Sequence, residues 1–555
     1  MAFHLRSNNL FLLLGLVLCT ISICCTSNPD WHSYRTHYHK QGNWINHGGD
    51  LYNRRYAYGE KKISRWTASR LKQKWEFKAG KDITATPAIF DGVLYFPSWN
   101  GNIYAVRAKD GVLIWKKGLP ELTGINGKFN ASSLPNVTTI VARATPTVVS
   151  DKDMVIVGVY GPSLVLALKR SSGDLIWSTQ LDDHPASVVT MSGTYFKGAF
   201  YIGTSSLEEG ATINECCTFR GNFLKLDVKT GKILWKTFLL PDNGGKLGKY
   251  AGAAVWGSSP SIDIRRNHVY IATGNLYSVP KHIEECQKEQ NQQNQTNPDP
   301  TRPDKCIEPE NHSDSMLALD LDSGEIKWYK QLGGYDVWFV ACGFNSTNPN
   351  CPIGPSPDAD FGEAPMMLSV LANGTKKRDV VAAVQKSGIA WALDRDTGDI
   401  FWTTEAGPGG TAGGGIWGAA TDTKRVYTSI VNSDNLNFTL VPSKNVTTGG
   451  AWVAMDAKTG KILWTTAVPN KGKSNPVTVA NGVLLAGSQN PTGPIYAIDT
   501  KTGKILWSNE TGATVFGGMS VSNGCFYVGN GYRSGIGVFN PNNTGGTSLF
   551  AYCVY

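Results

Sequence analysis

The sequence predicts an all-β fold, an eight-bladed β-propeller of four-stranded antiparallel blades. Three observations indicate it: a hairpin pattern that recurs seven times, half a copy at each end of the chain, and a turn-rich composition. Charged residues make up only 17% of the 555 residues, whereas there are 61 Gly and 17 Trp. One repeat running through almost the whole chain favours a single closed array over several domains.

Each copy of the repeat is an apolar strand, a polar turn ending in Gly, and a second apolar strand ending in Trp, as in YAIDTKTGKILW. The Gly always stands four residues before the Trp, and Gly tolerates the positive φ that a tight turn needs. We expect this Gly and Trp to lock neighbouring blades and to lie outside any functional site. The copies occupy residues 104–115, 166–177, 224–235, 317–328, 391–402, 453–464 and 496–507.

The two ends of the chain each carry half of an eighth copy. Residues 71–77 (LKQKWEF) match its second half, and residues 548–554 (SLFAYCV) match its first half. Pairing these two strands would close the ring and leave no exposed sheet edge. The sequence therefore predicts that the N-terminal strand pairs with the C-terminal blade.

The first 27 residues have the features of a secretory signal peptide. His4 and Arg6 precede an apolar run at 10–18, and small residues follow it. This run is too short to span a membrane, and no later stretch approaches the roughly 20 apolar residues required. We therefore expect residues 1–27 to be removed and residues 28–555 to form one secreted, extracellular propeller, with loop insertions at 281–311 and 343–357.

Cysteines and glycosylation motifs agree with an extracellular location. Eight of the eleven Cys follow the leader, and proximity alone suggests the pairs Cys216–Cys217, Cys286–Cys306, Cys342–Cys351 and Cys525–Cys553. For the adjacent pair, two free thiols or separate bridges are the alternative. Ten Asn-x-Ser/Thr sequons predict a glycoprotein, at Asn130, Asn136, Asn294, Asn311, Asn345, Asn373, Asn437, Asn445, Asn509 and Asn542.

The net charge of +9 is spread along the chain, without any cluster of five or more Lys or Arg. Nucleic acid is therefore not expected as a partner, because nucleic-acid-binding surfaces concentrate positive charge. A membrane partner is not expected either. An acidic glycan or another anionic neighbour stays an open alternative.

The repeat Ala-x-Asp-x-x-Thr-Gly-x-x-x-Trp resembles that of the quinoprotein alcohol dehydrogenases, which bind pyrroloquinoline quinone (PQQ) inside an eight-bladed propeller. The resemblance extends from about Trp44 to the end of the chain. The segments CCTFRG at 216–221 and YAGAAVWGSSP at 250–260 are similar to the polyvinyl-alcohol-dehydrogenase-like subgroup. The repeat is specific for the fold and says little about catalysis.

The resemblance implies an aromatic floor for the quinone, cations for its carboxylates, a Ca²⁺ ion and a carboxylate base. Trp256 would be the floor, and Arg220 and Lys386 would contact the quinone. A vicinal disulfide between Cys216 and Cys217 would cover it. A structural role is the alternative for each of these residues: a core Trp, a solvated Lys, or an Arg in a salt bridge between blades.

The resemblance also implies ligands for the metal ion. Asn275 follows the strand that comes after Trp256 and would bind the ion through its amide oxygen. In the methanol-oxidising relatives the position near Cys216 holds a metal-ligating Glu, and the adjacent Glu215 would substitute for it here. An ordinary Gly-Asn turn is the alternative for Asn275.

The base has two candidate positions. Residues 336–339 (DVWF) keep an Asp and a Trp, but Phe339 stands where relatives have the catalytic Asp. The segment DADFG at 358–362 restores the pattern if residues 340–357 are an insertion. We therefore predict Asp358 and Asp360 as the base and its neighbouring carboxylate, with Asp358 also a metal ligand; an Asp-rich turn is the alternative.

These features predict a secreted oxidoreductase that oxidises a small or polymeric alcohol, with PQQ in the axial funnel. The sequence contains no Cys-x-x-Cys-His motif for haem attachment, so we expect an external electron acceptor. Two alternatives stay open. The propeller has lost the quinone and binds a glycan, phenolic or protein partner in the same funnel, or it is an enzyme recruited to a specialised metabolite.

Overall fold

A computed structural model describes residues 42–555, apart from 128–136, 293–303, 344–347, 349, 355, 373–375 and 411–412. The predicted leader at 1–27 lies outside the described residues. Five of the ten sequons also lie outside them, at Asn130, Asn136, Asn294, Asn345 and Asn373.

Eight four-stranded antiparallel sheets follow one another along the chain, which confirms the predicted eight-bladed propeller. The first strand of a blade contacts the first strands of its neighbours, so it is the innermost. The strands of blade 1 are Ala88–Phe90, Val93–Ser98, Asn102–Arg107 and Leu113–Gly118. Those of blade 2 are Thr147–Val149, Met154–Gly158, Leu164–Lys169 and Leu175–Gln180. Those of blade 3 are Thr194–Phe196, Ala199–Gly203, Asn222–Asp227 and Ile233–Phe238. Those of blade 4 are Ser261–Asp263, His268–Ala272, Ser315–Asp320 and Ile326–Gln331.

Blades 5 to 7 repeat this order. The strands of blade 5 are Met366–Ala372, Lys376–Val384, Ile389–Asp394 and Ile400–Glu405. Those of blade 6 are Ala420–Thr421, Arg425–Ile430, Ala451–Asp456 and Ile462–Ala467. Those of blade 7 are Ser474–Ala480, Val483–Ser488, Pro494–Asp499 and Ile505–Glu510.

Blade 8 joins the two ends of the chain. Its strands, from the axis outward, are Ser520–Ser522, Cys525–Gly529, Ser548–Val554 and Leu71–Lys78. The last two pair antiparallel, with Leu71 opposite Val554 and Lys78 opposite Ser548. This pairing confirms the predicted closure of the ring.

The Gly and Trp of the repeat lock neighbouring blades together, as expected. Trp402 of blade 5 donates its indole N–H to the carbonyl of Ala457 in blade 6, at 3.0 Å. A Cβ atom on Gly460, the turn glycine of blade 6, would lie 2.7 Å from the Trp402 ring. The same pair of contacts recurs between the other blades that carry complete copies. Apolar side chains fill the spaces between blades, as in the cluster that joins blades 5 and 6.

The repeat turns lie on one face of the propeller and the irregular loops on the other. Because successive strands of a blade run in opposite directions, the turn between the third and fourth strands shares a face with the turn between the first and second. The second-to-third loops and the connections between blades lie on the opposite face, which we call the funnel face. The predicted insertions at 281–311 and 343–357 belong to this face.

The remaining elements are short. Three two-stranded sheets pair Ser187–Val188 with Ser205–Ser206, Ala251–Gly252 with Leu276–Ser278, and Phe438–Thr439 with Val446–Thr447. In the described part of the chain, the α-helices are Leu119–Thr123 and Lys281–Gln292, and 3₁₀ segments occur at Ala68–Arg70, Glu208–Gly210, Val340–Cys342, Pro469–Lys471 and Gly535–Phe539. Among the residues that the structure describes, no helix has the length and apolar character needed to cross a membrane.

All four disulfides suggested by proximity are present, which confirms the predicted pairing. The Cys286–Cys306 and Cys342–Cys351 bridges close the two insertions. The Cys525–Cys553 bridge links neighbouring strands of blade 8. The remaining bridge joins the adjacent residues Cys216 and Cys217 in the second-to-third loop of blade 3.

Residues 44–60, which we call the axial belt, run past the inner strands of the blades. The belt contacts blades 1 to 8 in chain order, through mainly backbone hydrogen bonds. Its partners, in that order, are Ile89, Val148, Thr194, Ile262, Met367, Thr421, Val479 and Gly524. The belt therefore ties the whole ring together around the axis.

Candidate functional site

At the centre of the site, the ammonium group of Lys386 lies between two carboxylates. Its Nζ atom is 2.8 Å from Asp358 Oδ1 and 2.8 Å from Asp360 Oδ1. All three side chains are buried. Lys386 follows the second strand of blade 5, and the two aspartates come from the connection between blades 4 and 5. Two loops of the funnel face thus bring three of the predicted site residues together.

Trp256 forms a flat wall beside this ion pair. The Lys386 Nζ atom lies 5.2 Å from the centre of the Trp256 ring, within the range of a cation–π contact. A Cβ atom on Gly274 would lie 3.1 Å from Asp360 Oδ2 and 3.3 Å from Trp256 Nε1. The indole N–H is buried and has no hydrogen-bond partner among the described residues, while the ring as a whole is partly exposed. The ring can therefore support a planar ligand.

The Cys216–Cys217 disulfide packs on the same apolar cluster as Trp256. Cys217 is fully buried, and Cys216 is partly exposed. The cluster consists of Cys217, Phe219, Ala251, Ala254 and Tyr277, with Cys216 and Trp256 packed against it. The second-to-third loop of blade 3, which carries the disulfide, and the connection between blades 3 and 4, which carries Trp256, thus lie next to each other.

Asn275 is fixed by two backbone carbonyls. Its Nδ2 atom donates to Leu276 O and to Trp338 O, both at 2.9 Å, so its amide oxygen is directed away from them. Its neighbour Gly274 packs between Asp360 and Trp256. Asn275 therefore lies next to the ion pair, and an amide oxygen is a donor that hard cations accept.

Asp336 orients the aspartate loop. Its two carboxylate oxygens accept the backbone N–H groups of Asp358, at 3.1 Å, and of Ala359, at 2.5 Å. Burial raises the pKa of Asp336 to about 7, although these hydrogen bonds oppose the shift. Phe339 is a buried apolar side chain. Of the two positions considered for the base, the one at 358–362 is beside Lys386 and Trp256.

Glu209 is a site residue that the sequence analysis missed. It lies in the 3₁₀ segment Glu208–Gly210 of blade 3 and is partly buried. Burial raises its pKa, while the nearby charge of Lys386 opposes the shift and that of Asp360 reinforces it. Glu215, the predicted ligand, is exposed and accepts a hydrogen bond from Thr212 Oγ1 at 2.7 Å. The sequence feature that could have identified Glu209 is the acidic pair at 208–209, which follows closely after the buried strand Ser205–Ser206.

The predicted cation Arg220 points away from the ion pair. Its guanidinium group lies 2.9 Å from Asp242 Oδ1 and 4.1 Å from the centre of the Phe238 ring. The backbone of Arg220 pairs with Gly252, near the apolar cluster. The side chain is therefore held in a salt bridge at the edge of blade 3, within that blade and the connection that follows it.

Arg143, which the sequence analysis did not single out, lies at the axis. It is only 6% exposed, and its guanidinium carbon is 4.4 Å from the Trp417 ring centre and 5.6 Å from that of Tyr160. Among the described carboxylates, none forms an ion pair with it. Trp417 in turn packs edge-on against Trp256, with ring centres 4.8 Å apart. A buried cation without an ion-pair partner favours an anionic ligand.

A small cavity on the axis, lined by both polar and apolar side chains, adjoins Arg143 and Trp417. Its lining comes from seven blades and the axial belt, and includes Thr84, Thr145, Ser192, Ser258 and Gly518. His47 of the belt also lines it. Burial and the charge of Arg55 hold the pKa of His47 well below its usual value, so this imidazole is neutral.

Negative groups outnumber positive ones around Lys386. Burial raises the pKa of Asp358 well above its ordinary value, Lys386 opposes this shift, and Asp360 and Glu209 reinforce it. Burial also opposes the charge of Lys386, but the carboxylates outweigh it and raise its pKa. Within the described ranges, no three His, Cys, Asp or Glu side chains are grouped closely enough to hold a metal ion. The donors suit a hard cation, but no ion site is preformed.

Comparison with family models agrees with this architecture. The model described as glucose/ethanol/alcohol dehydrogenase, beta-propeller domain, of the PQQ family, matches residues 44–413. A second model, described as outer membrane protein assembly factor BamB, matches residues 386–541. The first match contains every predicted site residue.

Two polyvinylalcohol dehydrogenases are similar to the chain. That of Pseudomonas sp is 28% identical over 434 residues, which cover 76% of this chain and 60% of the relative. That of Sphingopyxis sp. (strain 113P3) is 30% identical over 528 residues, covering 87% of this chain and 72% of the relative. The chain thus spans less than two thirds of the length of the first relative.

The crystal structure of quinohemoprotein alcohol dehydrogenase from Comamonas testosteroni has the same fold. It superposes with a TM-score of 0.68 and 17% identity, covering 95% of this chain and 82% of that structure. On the match over residues 44–413 and the 30% identity to the Sphingopyxis relative, the chain belongs to the family of PQQ-dependent alcohol dehydrogenase β-propellers.

Proposed function

We propose that the chain is an oxidoreductase that oxidises an alcohol with PQQ as its cofactor. The observation that carries the proposal is the bridge of Lys386 between Asp358 and Asp360, against the face of Trp256. This arrangement combines a flat support, a buried cation and two buried carboxylates at one point. Such a combination suits proton removal next to a planar cofactor.

The residues present fit the quinone, which is planar and carries three carboxylates. Trp256 would support one face, and the Cys216–Cys217 disulfide, which packs on the same cluster, would cover the other. Arg143 and Lys386 are buried cations that would compensate the carboxylates. When bound, the quinone supplies the acceptor for a hydride from the alcohol carbon.

Asp360 is the better candidate for the base. Its Oδ2 atom faces Gly274 on the same side as Trp256 Nε1, where the alcohol would lie beside the cofactor. Its Oδ1 atom stays bound to Lys386, which keeps the group fixed while Oδ2 accepts the alcohol proton. Asp358 is enclosed by Lys386 and Asp336, and serves as the neighbouring carboxylate.

Ca²⁺ is the ion that we propose to accompany the quinone. Oxygen donors from Asp358, Asp360, Glu209 and Asn275 have the chemistry that Ca²⁺ prefers. Lys386 stands between the two aspartates, so an ion could enter only if the ammonium group moves away from them. Glu215 keeps its predicted role only if its loop rearranges, because the side chain is exposed.

Substrate, acceptor and location follow from the same proposal. The substrate is a small or polymeric alcohol; the two similar polyvinylalcohol dehydrogenases motivate the polymer. An external acceptor takes the electrons. The leader-like residues 1–27, the sequons and the four disulfides support a secreted glycoprotein.

Reconstitution tests the proposal. Purified protein is titrated with PQQ, with and without Ca²⁺, and dye reduction is then measured with ethanol, a larger primary alcohol and polyvinyl alcohol. We expect quenching of Trp fluorescence on quinone binding and alcohol-dependent dye reduction. If the quinone causes no change in fluorescence or absorbance, the proposal is wrong, and the alternative of a quinone-free binding funnel is favoured.

A further inference from the structure

The carboxylate of Glu208 lies directly behind the vicinal disulfide. Its Oε2 atom accepts the backbone N–H groups of Thr218, at 2.8 Å, and of Phe219, at 2.7 Å. Its Oε1 atom accepts the Thr218 hydroxyl at 3.1 Å. The backbone carbonyl of Glu208 also contacts Cys217 Sγ at 3.7 Å. One buried side chain thus fixes the chain at the point where it leaves the disulfide.

His184, from the connection between blades 2 and 3, completes this arrangement. Its Nδ1 atom accepts the backbone N–H of Ala186 at 3.2 Å, which places the ring proton on Nε2. The Nε2 atom lies 3.0 Å from Thr218 Oγ1 and 3.3 Å from Glu208 Oε1. The Nε2–H group therefore donates into the arrangement. Its ring also packs edge-on against Phe219, with centres 5.6 Å apart.

Glu208 and Glu209 are adjacent but have opposite surroundings. Burial opposes the charge of Glu208, but hydrogen bonds from His184, Phe219 and Thr218 outweigh it and lower its pKa. Both of its oxygens are occupied by these donors, so Glu208 is not available to a ligand. Glu209 instead lies in the field of Lys386 and Asp360.

We propose that Glu208 and His184 are positioning residues that hold the Cys216–Cys217 turn against the Trp256 cluster. The contacts carry this proposal without a cofactor. This positioning role rests on the proposed function only in that the ligand beside the disulfide is taken to be the quinone.

The test follows the four disulfides separately. The intact protein is exposed to a dithiol reductant, and differential alkylation with mass spectrometry measures how fast each bridge opens. We expect Glu208→Ala and His184→Leu to accelerate opening of Cys216–Cys217 roughly tenfold, because the turn loses hydrogen bonds to a charged group. His184→Gln retains a donor and should restore most of the wild-type rate.

The matched control is Glu308→Gln. Glu308 accepts a hydrogen bond from His282 at 2.9 Å, but this His–Glu pair is exposed. The control should leave the opening rate of Cys216–Cys217 unchanged. The other three bridges of each variant report any loss of overall stability.

Two results would overturn the proposal. One is an unchanged opening rate of Cys216–Cys217 in Glu208→Ala, and the other is an equal acceleration of all four bridges, which would mean that Glu208 stabilises the whole propeller. If Glu208→Ala does not fold, Thr218→Val removes only the hydroxyl and should give a smaller, selective acceleration; its absence contradicts the proposal. Quinone titration is a separate readout, since a wild-type protein that does not bind PQQ refutes the proposed function and leaves the disulfide result standing.

Discussion

The Nζ atom of Lys386 lies 5.2 Å from the centre of the Trp256 ring, so one ammonium group serves both the aspartate pair and the aromatic wall. We predict that Lys386→Met lowers the free energy of unfolding by about 3–5 kcal/mol at pH 7, because it leaves buried carboxylates without their counter-ion. Urea denaturation measures this. Lys377→Met is the control, since Lys377 is exposed and 3.6 Å from Asp379. Equal losses in the two variants would contradict the prediction.

Replacing the proposed base should affect the rate more than quinone binding. We predict that Asp360→Asn lowers kcat at least about 100-fold, the usual contribution of general-base catalysis, while the Kd of the quinone changes much less. Asp322→Asn removes an exposed carboxylate that pairs with Lys225 and should leave kcat unchanged. If Asp360→Asn and Asp358→Asn both retain full turnover, carboxylate base catalysis is excluded.

Glu363 should make the propeller less stable as the pH rises. It is buried, and its carboxylate accepts the backbone N–H groups of Val384, at 2.7 Å, and Ala419. Burial raises its pKa from 4.5 to about 8, although these bonds and Arg55 oppose the shift. Between these values the unfolded chain loses the proton while the folded chain keeps it, so stability contributed by Glu363 is full at low pH and is lost as pH rises through about 8.

The comparison with Glu363→Gln isolates this effect from other titrating groups. From pH 5 to pH 8, the free energy of unfolding of the wild type should fall relative to that of the variant by up to about 1.4 kcal/mol per pH unit. Chemical denaturation at several pH values measures the difference. A difference that is constant with pH, or that grows in the opposite direction, would show that Glu363 ionises normally.

The lock between blades can be tested at a turn glycine. Gly460 has φ of +71°, and an added Cβ atom would meet the Trp402 ring at 2.7 Å. Gly92 has a similar φ of +77°, with nothing within 4 Å of the added atom. We predict that Gly460→Ala destabilises the protein by about 1–3 kcal/mol more than Gly92→Ala, because only the former overpacks a contact. Thermal unfolding of both variants separates the contact from the backbone strain.

Glycan attachment should follow exposure among the described sequons. Asn437, Asn445, Asn509 and Asn542 are exposed, whereas Asn311 is 1% exposed and its side chain cannot receive a glycan in the folded state. We predict that protein produced in a eukaryotic secretory host carries glycans at the four exposed positions. Peptide mapping after enzymatic deglycosylation measures this. Full occupancy of Asn311 would mean that the glycan is added before blade 4 folds.

The sequence predicts the scaffold well because the repeat is both local and periodic. The spacing of Gly and Trp identifies the hairpins, and the half-copies at the chain ends identify the closure. Trp256, Asp358 and Asp360 could be found because short motifs surround them. Lys386 could be placed because it follows a recognisable strand.

The remaining site residues could not be found in this way. No recognisable motif surrounds Glu209, Arg143 or Trp417, and they reach the site only because blades 2, 3 and 6 meet around one axis. Arg220 shows the opposite case. Its motif was recognisable, but Asp242 and Phe238 compete for the guanidinium group and turn it away.

The axial belt has a consequence for biosynthesis. Glu60 accepts the backbone N–H of Gly524, a residue 464 positions later in the chain. The belt is therefore synthesised first but cannot complete its contacts until the last blade has left the ribosome, and contacts of such long range form slowly. Trp44, only 1% exposed in the finished ring, packs in the apolar cluster that includes Tyr527 and Leu549 of blade 8, so its ring stays partly uncovered until then. We expect a chain that lacks blade 8 to expose this indole, which would make it a target for chaperones and proteases.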